Sequence, residues 1–383
     1  MQEVIKTHSF LDSLNEIIKK NDYSKIFFFT GSIGHKILKA SNYGKNSNSF
    51  IYSDFKNDPS LDDVYKAVKI LSNFESDLVI GIGGGSTIDI AKQVNCLSSN
   101  YDIDKISKDI LAKYIIDKDL LFKKKPPPMI AIPTTAGTGS EATQFSVIYI
   151  NKVKHSIDNQ CLLPKQIILD PQLLVDIEPE LVATTVMDAL SQSIESLWSI
   201  KSNDESTEYA TNALLIIKKN IKKIAKGYPD IDTIQELMDA AHLAGKAINI
   251  TRTTAPHALS YPLSMHLKIP HGHAVALTLP NFFIINSSIE KYKINDLRGK
   301  GYVKERMEYI FELFLEKGAT AKQCRNEFHN LMEILNLEID LNKLRIKEVG
   351  SRIILNDINQ DRLANNPVSI SDEDINKILT ITS

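Results

Sequence analysis

The sequence predicts an N-terminal α/β domain built on a doubly wound parallel sheet, followed by an all-helical domain. Three observations support this prediction. Short apolar runs alternate with helical patterns in the first half, a run of glycines joins one strand to the next helix, and long helical patterns follow Asp170-Pro171. Strands that alternate with helices are typical of parallel sheets covered on both faces. We place the domains at residues 1–178 and 179–383.

The predicted strands of the first domain are unbroken apolar runs bounded by glycine or proline. They span residues 25–30, 77–82 and 129–132, and their lack of alternation indicates burial on both faces. Residues 61–74 between the first two place apolar side chains at helical spacing. In the second half, helical patterns span residues 187–198, 205–224 and 234–248. This order predicts βαβ units followed by helices alone.

The composition is that of an ordinary globular protein without excess charge. With 43% hydrophobic residues, 24% charged residues and a formal net charge of -2, the chain has no excess positive charge to attract nucleic acid or a membrane. Cys96, Cys161 and Cys324 are far apart, so they form neither a disulfide framework nor a CxxC metal site. No apolar run reaches the roughly 18 residues of a membrane span. We therefore expect a cytoplasmic protein that binds a small molecule.

Two loops in the first domain have the composition of a phosphate-binding site. The first follows a predicted strand and contains Gly83, Gly84, Gly85 and Ser86. Glycines let the backbone approach a ligand, and the amides of a new helix, which Ser86 or Thr87 can cap, attract an anion. The alternative is a tight turn, because a glycine-rich loop alone is a weak signal. The second loop, residues 132–143, follows the next strand, so both loops meet at one sheet edge and favour a dinucleotide.

Four side chains in the second domain are candidate metal ligands. Asp188 and Gln192 are spaced at i and i+4, so they project from one helix face, and His257 and His271 follow later. A lone histidine is more often a core or surface residue, and spacing alone does not decide between these interpretations. Two imidazoles and a carboxylate with open positions suit Fe(II), and imidazole-rich sites also take Zn(II). The metal identity therefore stays open.

Together, these motifs resemble the iron-containing (group III) alcohol dehydrogenase family. They are Gly-Gly-Gly-Ser-x-x-Asp-x-Ala-Lys at 83–92, Pro-Thr-Thr-Ala-Gly-Thr-Gly-Ser-Glu at 133–141 and Met-Asp-Ala-Leu at 187–190. The resemblance covers nearly the whole chain. It implies an NAD(P)-dependent alcohol dehydrogenase or aldehyde reductase, with a dinucleotide-binding first domain, a metal- and substrate-binding second domain and a homodimeric state.

The resemblance assigns the coenzyme to the loops of the first domain. Its pyrophosphate is expected at Gly83, Gly84, Gly85 and Ser86. Its nicotinamide half is expected beside Thr134, Thr135 and Thr138, with Lys154 near the ribose. Gly31 stands where NAD-preferring relatives commonly have an aspartate, whose carboxylate repels a 2′-phosphate. NADPH should therefore be accepted, aided by Lys36, unless Gly31 is a turn glycine with no bearing on selectivity.

The resemblance also implies that the four ligand candidates hold a divalent metal, Fe(II) or Zn(II). Asp188, His257 and His271 match the family, whereas Gln192 stands where the family has a histidine. A glutamine carbonyl is a weaker, neutral oxygen donor, so it binds loosely, binds through water or does not bind. Tyr261, where many members carry another histidine, and His273 are the candidate proton donors.

Arg252 and its neighbours bear on the substrate. Within residues 250–257, the Arg252 guanidinium and the hydroxyls of Thr253 and Thr254 come shortly before His257, and such a cluster suits a phosphonate, phosphate or sulfonate. The alternative is that Arg252 caps the C-terminus of the preceding helix. The run at 253–261, together with Gln192 and His273, resembles the phosphonoacetaldehyde reductase branch, which makes 2-hydroxyethylphosphonate. Sulfoacetaldehyde and neutral short-chain aldehydes are the alternative substrates.

Two other classes of protein share parts of this pattern. A dehydroquinate-synthase-like enzyme also joins a nucleotide-binding α/β domain to a helical metal domain, and turnover of NAD(P)H with an aldehyde distinguishes the two. The second class is a non-catalytic nucleotide-binding protein that has lost its metal. Metal analysis of purified protein distinguishes it from the enzyme. Three retained ligands and both coenzyme loops favour the enzyme.

Overall fold

A computed structural model describes residues 2–151, 153–227, 229–344 and 351–380. The chain divides into two compact units. The first comprises Met1–Thr135 and Gly139–Asp176, and the second comprises Ala136–Thr138 and Ile177–Ser383. A short piece of the loop that follows the third predicted strand therefore groups with the second unit.

The first unit alternates strands with helices. Its strands are β1 (Glu3–Lys6), β2 (Ile26–Thr30), β3 (Ser49–Tyr52), β4 (Leu78–Gly83), β5 (Met129–Pro133), β6 (Phe145–Ile150), β7 (Val153–Asp158) and β8 (Gln166–Leu169). Its helices are α1 (Phe10–Asn21), α2 (Ser32–Ala40), α3 (Leu61–Phe74), α4 (Gly85–Asn100) and α5 (Lys108–Ile116).

Six of these strands form one parallel sheet in the order β1-β8-β5-β4-β2-β3. Every residue of β2, β4 and β5 is buried, which confirms that the unbroken apolar runs are internal strands. The chain leaves β2 toward β3 on one side and returns to β4 on the other. The strand order thus reverses between β2 and β4, the position at which open α/β sheets bind their ligands.

Helix α3 shows how local sequence sets an element of this unit. The Ser60 side chain accepts from the Asp63 amide and the Asp63 side chain accepts from the Ser60 amide, which forms a capping box. The helix buries Val64, Ala67 and Leu71. These side chains belong to the same core as the buried aromatic residues of β2 and β3, so the predicted amphipathic face of residues 61–74 packs as expected.

The remaining strands of the first unit carry weaker sequence signals. Strands β1, β3 and β8 have four residues each, too few for a periodicity to stand out. Strands β6 and β7 pair antiparallel as a separate hairpin. Buried and partly buried residues alternate along β6, so its pattern is that of a strand with one buried face.

Apart from an isolated bridge between Ile294 and Val368, the described part of the second unit contains helices and connecting loops. The helices are α6 (Pro179–Trp198), α7 (Asp204–Ile224), α8 (Ile231–Thr251), α9 (Ala255–Leu267), α10 (His271–Ser287), α11 (Gly299–Phe314), α12 (Ala321–Ile334), α13 (Ser351–Asn356), α14 (Gln360–Ala364) and α15 (Asp372–Thr380). The predicted fold class, a doubly wound sheet followed by helices, is confirmed. Among the described helices, none is both long enough and apolar enough to cross a membrane.

Helix α6 is the central element of the second unit. It is buried from Val186 to Trp198, including its polar side chains. The Trp198 ring packs edge-on against Phe283 at 6.0 Å between ring centroids, and Phe283 continues the aromatic core to Phe314 and Phe328. Buried polar groups need partners inside the protein or a ligand. Those of α6 therefore mark the place where a site is expected.

Candidate coenzyme and metal sites

Three loops converge at the carboxyl edge of the parallel sheet in the first unit. The Gly31 amide, just after β2, donates to the carbonyl of Ile82 at 2.9 Å. The Thr134 amide, just after β5, donates to the carbonyl of Gly83 at 3.0 Å. These bonds extend the register of the strands into the loops. Gly31, the glycine-rich loop and the start of the second loop are therefore held side by side.

The glycine-rich loop starts α4 without a side-chain cap. The N-cap residue is Gly84, and the helix begins at Gly85. The expectation that Ser86 or Thr87 caps the helix is wrong, because both lie inside its first turn. A Cβ at Gly83 would overlap the Thr87 side chain, so only glycine fits there. Uncapped amides at a helix N-terminus are suited to an anion such as a pyrophosphate.

A buried lysine fixes the end of the second loop against α4. Lys92 is fully buried, and its ammonium donates to Ser140 Oγ at 3.0 Å, Thr143 Oγ1 at 2.9 Å and the Phe145 carbonyl at 2.9 Å. Burial lowers the pKa of Lys92, against the charges of Asp89 and Glu141. The sequence analysis missed this network. The sequence feature that could have indicated this network is the pair Asp89 and Lys92 in the glycine motif. At i and i+3, the two residues lie on one helix face.

The remaining coenzyme candidates lie on separate parts of the chain. Thr135 belongs to the first unit, where a Cβ at Gly84 would lie 3.5 Å from its methyl group. Lys154 lies on β7 and pairs with Tyr149 of β6. Thr138 belongs to the second unit, where its carbonyl accepts from Gln192 Nε2 at 3.2 Å.

In the second unit, three of the four predicted ligands come together. One ligand atom from each of Asp188, His257 and His271 lies within 4.8 Å of the others. Asp188 lies on α6, His257 on α9 and His271 at the start of α10. His257 Nε2 is 3.3 Å from Asp188 Oδ1, and the rings of His257 and His271 are 5.4 Å apart.

Close backbone approaches bring these helices together. A Cβ at Gly272, directly after His271, would overlap the carbonyl oxygen of Thr184 and lie 2.9 Å from the Cβ of Asp188. A Cβ at Gly137 would likewise overlap the carbonyl of Thr185. The two glycines therefore let the start of α10 and residues 136–138 reach the backbone of α6, the helix that carries Asp188.

Gln192 is oriented by a hydrogen bond to Thr138, which belongs to the same unit. Because the carbonyl of Thr138 can only accept, the Gln192 amide must turn its Nε2 toward it. Its Oε1 is then the free end, and this oxygen is buried without a hydrogen-bond partner. Asp188 Oδ1 is likewise buried without a hydrogen-bond partner. Two orphaned buried oxygens beside two imidazoles are the donor set that a divalent cation satisfies.

Glu195 adds a second buried carboxylate to this site, and the sequence analysis missed it. It is fully buried, and its carboxylate contacts His257 Nδ1. Its spacing of i+7 from Asp188 on α6 was the available signal. Burial opposes protonation of His257, but Glu195 and Asp188 outweigh it and raise the pKa of His257 to about 10. Burial alone would raise the pKa of Asp188, yet His257, His271 and Gln192 together hold it below its usual value. A divalent cation would take the place of the His257 proton and offset the charge of the two buried carboxylates.

The two candidate proton donors differ in their surroundings. The Tyr261 ring stacks on His271, with centroids 5.8 Å apart and planes inclined by 20°. His273 is buried, and its Nε2 lies 2.7 Å from the Glu338 carbonyl, to which it donates. Burial lowers the pKa of His273. The structure thus places Tyr261 against a metal-ligand candidate and commits one nitrogen of His273 to a carbonyl.

Arg252 lies at the junction between α8 and α9. Its guanidinium donates to the carbonyls of Ile248, at 3.4 Å, and of Asn249 at the end of α8. The helix-capping interpretation of Arg252 is therefore present in the structure, and anion recognition stays a prediction. Its backbone has φ 61° and ψ 176°, a conformation that favours glycine.

Two family profiles match the two halves of the chain. The profile described as iron-containing alcohol dehydrogenase matches residues 2–171, and that described as Fe-containing alcohol dehydrogenase family, C-terminal, matches residues 182–382. The chain belongs to the iron-containing alcohol dehydrogenase family. Members of this family are oxidoreductases. Membership implies a nicotinamide coenzyme and a metal ion, and the donor set does not distinguish Fe(II) from Zn(II).

Three relatives show the range within the family. The phosphonoacetaldehyde reductase of Streptomyces viridochromogenes is 32% identical over 65% of this chain and 63% of its own length. Long-chain-alcohol dehydrogenase 1 of Geobacillus thermodenitrificans is 29% identical over 86% of this chain and 80% of its own. The sulfoacetaldehyde reductase of Bifidobacterium kashiwanohense, solved in complex with NAD+, superposes with a TM-score of 0.84 at 25% identity, covering 99% of this chain and 96% of that chain. The matched part thus spans less than two thirds of the phosphonoacetaldehyde reductase.

Proposed function

We propose that this protein uses NAD(P)H and a divalent metal to reduce a small aldehyde to a primary alcohol. The observation that carries the proposal is the buried group of Asp188, His257 and His271, to which Gln192 adds an orphaned carbonyl oxygen. In the first unit, the aligned loops after β2, β4 and β5 supply a coenzyme site of the kind found in nucleotide-binding sheets. Metal analysis and a coupled assay with aldehydes and both nicotinamides test the proposal.

The residues have separate tasks in this reaction. Asp188, His257, His271 and Gln192 hold the metal, and the amides at the start of α4 bind the coenzyme pyrophosphate. When bound, the metal supplies a Lewis acid for the aldehyde oxygen and the coenzyme supplies the hydride. Tyr261, against the His271 ring, is the better-placed of the two candidates to deliver a proton to the new alcohol oxygen. The retained donors argue against a non-catalytic nucleotide-binding protein.

For the substrate, we propose phosphonoacetaldehyde, with 2-hydroxyethylphosphonate as the product. Two of the relatives are named for a two-carbon aldehyde that carries an anionic group, one a phosphonate and the other a sulfonate. Arg252, three residues after the Asn249 carbonyl it contacts, is the candidate cation. A guanidinium carries five N–H donors in a planar fork, a geometry that suits recognition of a phosphonate or a sulfonate. Sulfoacetaldehyde is the alternative with the same charge recognition.

The substrate test compares charged and neutral aldehydes of similar length in the wild type and in Arg252→Ala. Loss of a contact to a charged group costs about 1.5–3 kcal/mol, so kcat/KM for phosphonoacetaldehyde should fall about 10–100-fold while that for the neutral aldehyde changes little. Arg306→Ala is the matched control, because Arg306 contacts Thr207 and Tyr302 away from the ligand group. Equal losses for both aldehydes would leave Arg252 a helix cap.

For the coenzyme, we propose that NADPH is accepted because Gly31 carries no carboxylate. Gly31 has φ -75° and ψ -177°, which any residue adopts. A Cβ there would meet nothing closer than Thr87 Oγ1 at 3.4 Å. Neither backbone nor packing therefore demands glycine. Gly31→Asp should shift the kcat/KM ratio toward NADH by about tenfold, or about 1.4 kcal/mol. The uncharged Gly31→Asn is the control, and a strong wild-type preference for NADH contradicts the proposal.

A further inference from the structure

Glu195 joins two helices of the second unit through one fully buried carboxylate. It lies on α6, and its partners lie at the start of α9. Its Oε1 accepts from the Thr254 amide at 2.9 Å, from Thr254 Oγ1 at 2.8 Å and from the His257 amide at 3.3 Å. Its Oε2 contacts His257 Nδ1. Each carboxylate oxygen thus has its own partners.

This carboxylate takes over the capping of α9. The N-cap residue, Thr254, makes no capping bond with its own side chain, and its hydroxyl both donates to Glu195 and accepts from Trp198 Nε1 at 2.8 Å. The amides of Thr254 and His257 instead donate to Glu195. A charged acceptor at a helix N-terminus is favourable. The helix that carries His257 is therefore anchored directly to α6, the helix that carries Asp188.

The same carboxylate determines which nitrogen of His257 holds the proton. A carboxylate can only accept, so Nδ1 must be the donor, and a neutral imidazole then has a lone pair on Nε2. That nitrogen is the one 3.3 Å from Asp188 Oδ1. Partners of this kind orient metal-binding histidines and raise their basicity.

We propose that Glu195 is a positioning residue that fixes the ring orientation and tautomer of His257, so that Nε2 is presented to the metal. This inference rests on the proposed metal site. It concerns the strength of metal binding, which is measured without turnover.

Glu195→Gln tests the inference because it preserves size but changes one oxygen into a donor. Three donors face the Oε1 position, so the glutamine oxygen must occupy it. The NH₂ group then faces Nδ1, which forces the proton onto Nε2 and removes the ligand lone pair. Metal Kd, measured by titrating the metal-free full-length chain with Co(II) and Zn(II), should rise about 10–100-fold.

A further variant separates positioning from packing. Glu195→Asp keeps two acceptors but leaves a gap, so positioning predicts tighter metal binding than in Glu195→Gln, whereas packing predicts the reverse order. Glu236→Gln is the control, since Glu236 bonds Lys219 and Asn220.

The outcomes distinguish this inference from the proposed function. A wild type that binds neither metal overturns the metal site and the inference with it. A wild type that binds metal, combined with Glu195→Gln within about twofold of its Kd, overturns the inference alone. Weaker binding by Glu195→Asp than by Glu195→Gln also overturns it. Unfolding curves of the metal-free proteins establish that each variant is folded.

Discussion

At the residue scale, Gln192 is the ligand candidate whose donor atom is a neutral amide oxygen. Its Nε2 is committed to the Thr138 carbonyl, and its buried Oε1 has no protein partner. The amide thus offers the site a neutral oxygen from a fixed direction. A neutral oxygen binds a divalent cation more weakly than a carboxylate or an imidazole does.

We expect Gln192→Ala to raise the metal Kd by about tenfold, a loss of about 1.4 kcal/mol, and His257→Ala and Asp188→Ala to abolish binding. Gln192→His, which replaces a neutral oxygen donor with an imidazole nitrogen, should tighten binding. The measurement is metal content after dialysis together with titration of the metal-free protein. If Gln192→Ala were as damaging as His257→Ala, the glutamine would be an essential ligand or a substrate contact.

Arg252 is the second residue with a testable property, the strain of its backbone conformation. At φ 61° and ψ 176° it occupies a region that costs a non-glycine residue about 1–3 kcal/mol. Asn365 Nδ2 donates to the carbonyls of Thr251, at 2.8 Å, and Thr253, at 2.9 Å, on either side of Arg252. These bonds hold the turn that leads into α9.

Arg252→Gly and Arg252→Ala form a matched pair for this strain. Both variants lose the side-chain bonds to the end of α8, but only glycine relieves the backbone strain. Glycine also costs about 0.4–1 kcal/mol of stability relative to alanine, because its unfolded chain has more conformational entropy. We expect the glycine variant to be more stable than the alanine variant by about 1 kcal/mol in denaturant unfolding. A glycine variant less stable than the alanine variant by about 0.4–1 kcal/mol, the entropy difference alone, would show that the turn stores no strain.

At the scale of elements, the metal group depends on how closely α10 approaches α6. Gly272 is the contact point, where an added Cβ would overlap the Thr184 carbonyl. Backbone cannot give way as a flexible side chain can. The first turn of α10, which carries His271, must therefore move if this residue gains a side chain.

Gly272→Ala should destabilise the protein by about 1–3 kcal/mol and weaken metal binding, because His271 moves away from Asp188. Gly301→Ala is the control on α11, where an added Cβ meets nothing within 4 Å. Since alanine is the better helix former, that variant should be unchanged or up to about 1 kcal/mol more stable. Unfolding and metal titration of both variants provide the comparison. Normal metal affinity in Gly272→Ala would contradict the role given to this contact.

At the scale of the whole molecule, bound metal should stabilise the folded chain, because its ligands come from three helices that only folding brings together. Metal at about 100 times its Kd adds about 2.7 kcal/mol, which for a unit of this size corresponds to about 5–10 °C in Tm. We expect a chelator to lower the wild-type Tm by that amount and to leave Asp188→Ala unchanged. The Tm is measured by calorimetry with and without chelator. A wild-type Tm that does not change with chelator would contradict the proposed metal site.

The sequence alone determined the elements whose signal is local. The unbroken apolar runs of β2, β4 and β5 and the amphipathic period of α3 depend on neighbours a few positions away, so burial follows directly from the pattern. The ligand set was also readable, because Asp188 and Gln192 are a helical turn apart and the two histidines stand in a motif resembling a known family. The short edge strands had too few residues to show a period.

Only the tertiary structure decided the chemistry around those ligands. Glu195 finds its partners 59 to 62 positions along the chain, and Gln192 is oriented by a carbonyl 54 positions away. Whether a buried oxygen is satisfied or orphaned depends on every group folded around it. Hydrophobic periodicity is a property of one segment, whereas hydrogen-bond polarity and uncompensated charge are properties of the assembled interior. For that reason the sequence indicated a metal site, and the folded chain revealed how its histidine and its glutamine are oriented.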